Sequence, residues 1–130
     1  MGFALGNNSN TILRTVNEPL SRIVRVAIEL TDVDFSVVEG IRTIGTQRRY
    51  VAQGKSWTLE SDHLTGDAVD IYPWVDGKSS FHDEHFKRVA KAMFEASHEL
   101  NIPVKWGGFW LNPKEDKPED KPKPHWALWT

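Results

Sequence analysis

The chain contains no cysteine. Disulfide staples and thiolate chemistry are therefore excluded, and any metal must be held by histidine and carboxylate. It has no apolar run near the ~18 residues of a membrane span. MGFALGNNSN at the start has no basic stretch leading into a long apolar one, so neither membrane insertion nor a secretory signal is expected. Charge of one sign is lacking too. Sixteen Lys and Arg against 18 Asp and Glu leave a formal net charge of -2, without the basic footprint of a nucleic-acid binder.

What is present suits one domain. The chain has 130 residues, 39% of them hydrophobic, enough to bury a core. Leu13, Val16, Leu20, Ile23, Val24, Ala27 and Leu30 recur at helical steps and predict a helix over 11–30, capped by Asn10 or Thr11. Residues 35–41 read as a strand, 46–53 as a short helix stopped by Gly54, and 55–66 as a loop. Residues 68–72 read as a strand ended by Pro73, followed by a turn at Asp76-Gly77. A second long helix is expected over 83–100, buried through Phe86, Val89, Ala90, Met93, Phe94, Ser97 and Leu100. Strands follow at 104–106 and 126–129. Residues 112–124 carry EDKP twice in tandem and too little apolar surface to pack, so a mobile charged loop is expected. The expected fold is α+β in a single domain over 1–130: a small, mainly antiparallel sheet flanked by helices.

The chemistry concentrates in Ser61-Asp62-His63-Leu64-Thr65-Gly66-Asp67-Ala68-Val69-Asp70. Asp70 sits within the apolar strand AVDIY, where an unpartnered carboxylate is costly to bury. It calls for a cation, either an arginine or a metal. His63 on the preceding loop and His125 at the head of the last strand would complete a set of two histidines and one carboxylate, a common catalytic zinc set. That places a zinc site on the sheet face, where Zn2+ would activate water and polarise a carbonyl. His82-Asp83-Glu84-His85 has the wrong spacing for HExxH and reads as a helix start. His98 is expected on an exposed helix face, and Trp106 and Trp110 are candidate walls of a groove.

Ser61, His63, Gly66, Ala68 and Asp70 together match S-x-H-x-x-G-x-A-x-D. Gly40, Arg42 and Thr43, then Gln47, Tyr50, Ala52 and Gly54, precede it. Trp106-Gly107-Gly108-Phe109-Trp110 and Pro124-His125-Trp126 follow. In this order the segments resemble the zinc DD-carboxypeptidase and L-alanyl-D-glutamate peptidase family, and in size its phage endolysins that act on Gram-negative walls. The resemblance implies an endopeptidase cutting the L-alanyl-D-glutamate bond of peptidoglycan stem peptides, with zinc on His63, Asp70 and His125 and with Arg42 assisting. A D,D-carboxypeptidase or dipeptidase of the same family, or a zinc-containing wall-binding domain without activity, are the alternatives. It further implies a protein that remains in the host cytoplasm until released to the wall, and a monomer is expected because nothing in the sequence suggests an obligate interface. The family usually has a catalytic Asp or Glu three residues before its last histidine. Here that position is Pro122, which cannot accept a proton. The nearest carboxylate upstream of His125 is Asp120, the expected general base, ahead of Glu119 and of Glu115 or Asp116 in the first EDKP copy.

Overall fold

Two helices stand where the sequence pattern predicts one. In the computed structural model, α1 spans Asn7–Leu13 and α2 spans Glu18–Leu30. Pro19 causes the break. Its ring excludes a helical hydrogen bond and clashes with the preceding turn, so it is accepted only in the first turn of a new helix. α1 is preceded by Gly6, and the expected cap Asn10 lies within it, donating to the Leu5 and Gly6 carbonyls. The structure describes residues 3–54, 64–106 and 125–128, and within them every side chain but that of Gln47. His63, Trp110, Asp120 and the 112–124 segment lie outside the described residues.

The remaining elements are β1 (Phe35–Glu39), α3 (Ile44–Ala52), β2 (Ala68–Val75), β3 (Lys78–Ser79), α4 (Asp83–Leu100), β4 (Val104–Trp106) and β5 (His125–Leu128). The strands form one antiparallel sheet in the order β1-β2-β5-β4, with β3 paired to the far end of β2. The α+β expectation holds. β2 runs through Pro73 rather than ending there. Phe35 and Pro73 are cross-strand partners, and the neighbouring hydrogen bond runs from the Trp74 amide to the Asp34 carbonyl. The Pro73 nitrogen thus faces away from β1, where no ladder bond is lost. Asp76 and Gly77 both have positive φ, 54° and 79°, which is what a two-residue hairpin into β3 demands.

Strand alternation divides the sheet into two faces. Phe35, Val37, Val69, Ile71 and Trp126 point to α2 and α4 and are at most 2% exposed. Each such side chain contributes on the order of 1.5–3 kcal/mol by leaving water. α4 buries Phe86, Val89, Ala90, Ala92, Met93 and Ala96. Phe94, expected in that stripe, sits at its flank, 45% exposed and edge-on to Trp126 at 5.1 Å. Trp106 also faces the core. It pairs with Trp126 across β4 and β5 and stacks on it at 5.7 Å, so it does not wall a groove on the opposite face.

α1 and the turn after it cover the exposed edge of β1 and of the residues that follow it. The Ser9 hydroxyl accepts from the Val37 amide at 3.0 Å, and the Thr15 hydroxyl from the Ile41 amide at 3.0 Å. Both would otherwise be open edge donors. This close approach needs Gly40, where an added Cβ would lie 2.4 Å from Thr15 Oγ1 and 2.9 Å from the Ile12 carbonyl.

Candidate active site

The face opposite the core carries the chemistry. Asp70 lies in the middle strand, with Glu39 of β1 as its direct partner on one side and His125 of β5 on the other. Directly opposed residues in antiparallel strands hold their Cβ atoms about 4.5–5.5 Å apart. Three polar side chains therefore converge by register alone. His125 Nδ1 is 3.6 Å from Asp70 Oδ1. The expectation that Asp70 and His125 belong to one site is met. Among the described residues no group of three His, Cys, Asp or Glu side chains has metal-binding spacing.

Glu39 is the site residue that sequence reasoning missed. In unbroken register Val37 pairs with Ile71, Val38 with Asp70, and Glu39 with Val69 on the core face. Instead a bulge falls between Val37 and Glu39, and Glu39 pairs with Asp70. One extra residue thus moves a carboxylate from the core to the site, as bulges beside active sites do. Val38, the inserted residue, is 43% exposed.

Arg42 answers the two carboxylates. Its Nε donates to Glu39 Oε1 at 2.5 Å, and its Nη2 stands 3.9 Å from Asp70 Oδ2. Its side chain is only 8% exposed. The guanidinium carbon lies 4.7 Å from the centre of the Tyr50 ring, a cation–π contact supplied by α3. Thr43 starts that helix by accepting from the Thr46 amide at 3.1 Å, so the cap that turns the chain after Arg42 also presents Tyr50 to it. Asp70 thus meets the arginine that the strand pattern called for, though at the outer limit of an ion pair. The bond at hydrogen-bonding distance goes to Glu39.

Tyr72 follows Asp70 on the same face, opposite Ser36. Burial pushes its phenol above the ordinary value of 10.0, and the nearby charges of Asp70 and Glu39 push it the same way. The folded protein keeps this proton at pH values where the unfolded chain has lost it, so stability falls as pH rises above about 10. Tyr72→Phe is expected to remove that component. Urea unfolding between pH 9 and 11 should show a shallower loss for the variant. Equal slopes would disprove the coupling.

The approach to β2 is anchored from the α1–α2 turn. The Asn17 amide donates to the Gly66 carbonyl at 2.9 Å, and its side chain donates to the Thr65 carbonyl at 3.3 Å and to Asp67 Oδ1. Gly66 takes φ +79° within van der Waals reach of Asn17, which suits a glycine. The turn that Pro19 forces between the helices thereby fixes the chain two residues after His63.

His82, His85 and His98 do not join this site. His85 Nδ1 is 2.6 Å from the Ser80 hydroxyl, and the His82 and His85 rings meet edge-on at 5.5 Å. His98 is exposed on α4, as expected.

A profile described as phage L-alanyl-D-glutamate peptidase matches residues 1–125. The chain belongs to the phage L-alanyl-D-glutamate peptidase family. It is 40% identical over 114 residues to the L-alanyl-D-glutamate peptidase of Escherichia phage T5, covering 85% of this chain and 83% of that protein. Among solved structures, the Serratia marcescens L-Ala D-Glu endopeptidase ChiX superposes with a TM-score of 0.84 at 36% identity, covering 97% of this chain and 90% of that one. The peptidase family expected from the ordered motifs is therefore the right one. Among the described residues, the sheet face that joins Asp70, His125, Arg42 and Glu39 brings together convergent polar groups of the kind a hydrolytic site requires.

Proposed function

We propose that the protein is a zinc endopeptidase that hydrolyses the L-alanyl–D-glutamate bond of peptidoglycan stem peptides, in the setting of phage-driven host lysis. The observation that carries this reading is the register that opposes His125 to Asp70 on a sheet face with two carboxylates and one guanidinium. That surplus of negative charge suits a divalent cation.

His63, Asp70 and His125 would hold the metal. Zinc, when bound, supplies Lewis-acid polarisation of the scissile carbonyl and activation of water. Arg42 stabilises the negative charge that develops on the carbonyl oxygen. It is permanently charged, and Glu39 and Tyr50 hold it in place before substrate arrives. Tyr72 keeps its proton and offers a neutral hydroxyl donor beside Asp70. Asp120 takes the proton of the attacking water and returns it to the leaving amine; its support is its place as the nearest carboxylate upstream of His125.

Digestion of Gram-negative peptidoglycan tests this. New amino-terminal D-glutamate is the expected product. Release of terminal D-alanine would instead assign the carboxypeptidase activity, and no release from the metal-loaded protein would leave a wall-binding role. Asp120→Ala at wild-type rate would assign the proton to another carboxylate.

A further inference from the structure

The site face continues beyond Asp70 as a row of aromatic side chains. Asp70, Tyr72 and Trp74 share it by strand alternation, about 7 and 13 Å from Asp70 at ~3.3 Å per residue. Phe81 meets Tyr72 edge-on at 5.5 Å. Phe81, at 58%, is the most exposed large apolar side chain among the described residues, and Trp74 is 40% exposed. The segment that carries Phe81 is tied to β2 and to α4. The Ser80 amide donates to the Pro73 carbonyl at 2.8 Å, and the Ser80 hydroxyl accepts from the His82 amide at 3.2 Å and bonds His85. Phe86 braces Tyr72 from α4 at 5.8 Å. Two exposed rings on such a scaffold do not serve the core. Phe81 also borders an open cleft with Lys78, Ser79 and His82, a cleft that Tyr72 and Trp74 do not line.

We propose that Tyr72, Trp74 and Phe81 form a saccharide subsite that takes the glycan strand of peptidoglycan; this rests on the peptidase reading above. The substrate's own chemistry sets the spacing. On the amino-terminal side of the scissile bond stand one alanine and the lactyl link of a muramyl sugar, about 7 Å of chain at ~3.3–3.6 Å per unit. The sugar therefore reaches Tyr72, and the next sugar Trp74 and Phe81. Pyranose rings present C–H faces with partial positive charge, which settle on the negative faces of aromatic rings. Direction follows from charge. The carboxylates of the stem peptide lie on the other side of the bond, and Glu39 and Asp70 disfavour them near Tyr72.

The test uses the whole protein and soluble glycan strands of alternating β-1,4-linked N-acetylglucosamine and N-acetylmuramic acid stripped of stem peptides, titrated by calorimetry. The wild type should bind them, Trp74→Ala and Phe81→Ala should each weaken binding about tenfold or more, and Trp74→Phe should retain most of it. In cleavage, the preference for a muramyl-linked stem peptide over the free peptide, as a ratio of kcat/KM, should fall about tenfold in Trp74→Ala through KM. No binding of stripped strands by the wild type would overturn the subsite, as would unchanged affinity in both alanine variants. Binding of strands with no cleavage of either peptide would uphold the subsite and defeat the peptidase reading alone.

Discussion

Asp70→Asn is expected to lower cleavage of stem peptide by about 10³-fold, since a lost metal ligand forfeits several kcal/mol of transition-state stabilisation and each 1.36 kcal/mol is tenfold in rate. The substitution keeps the shape of the side chain, removes its charge and turns one acceptor oxygen into an N–H donor. Zinc content should fall with the activity. Folding should not suffer. Asp70 stands directly opposite Glu39, and removing one of two adjacent carboxylates relieves repulsion in the metal-free protein. Thermal melting of the metal-free variant should therefore match or exceed that of the metal-free wild type. Activity within tenfold of wild type would reduce Asp70 to the structural partner of Arg42. A lowered melting point with retained zinc would do the same.

Arg42→Ala should separate from Asp70→Asn in a specific way. The rate falls by about 10²–10³-fold, the usual cost of removing one oxyanion donor, mainly in kcat and with KM little changed. Zinc stays bound, because Arg42 is not a ligand. Stability falls by about 1–3 kcal/mol, because Glu39 loses its charged hydrogen bond while half-buried beside Asp70. Arg42→Lys does not restore the rate. A single ammonium cannot donate to Glu39, face Asp70 and lie flat on Tyr50 at once. Full rescue by lysine would show that only a positive charge is needed. Loss of zinc from Arg42→Ala would show that the arginine organises the metal site rather than the oxyanion.

The sequence pattern made some features plain and hid others for physical reasons. α4 was legible over its whole length because its stripe repeats through 18 residues and Asn101 closes it in the left-handed conformation. β2 was legible up to Pro73, but whether a proline ends a strand depends on which edge its nitrogen faces, and that is a property of the neighbours. The break before α2 lay under a continuous apolar stripe, where only Pro19 signalled it. Within the site, Asp70 betrayed itself by being a carboxylate in an apolar strand, and His125 by heading the strand that pairs with it. Glu39 gave no such signal. Its role depends on a bulge at Val38, and bulges leave no periodic mark because they interrupt the period. Strand alternation already put Tyr72 on the face of Asp70, but Trp74 lay beyond the expected strand end until the register carried β2 through Pro73. The ordered motifs gave the family where composition and periodicity could not. They are spread over three strands and a helix start, and the fold brings Gly40, Arg42, Tyr50, Gly66, Asp70 and His125 to one end of β2.

The central claim is a metal held by His63, Asp70 and His125. The most direct measurement strips the purified protein with a chelator, removes the chelator, and follows metal content and peptidoglycan cleavage together as zinc is returned. The account predicts that activity disappears with the metal and returns as one zinc binds per chain, and that alanine at His63 or His125 prevents both recoveries. Undiminished cleavage by the metal-free protein, or restored zinc binding in those variants, would contradict it.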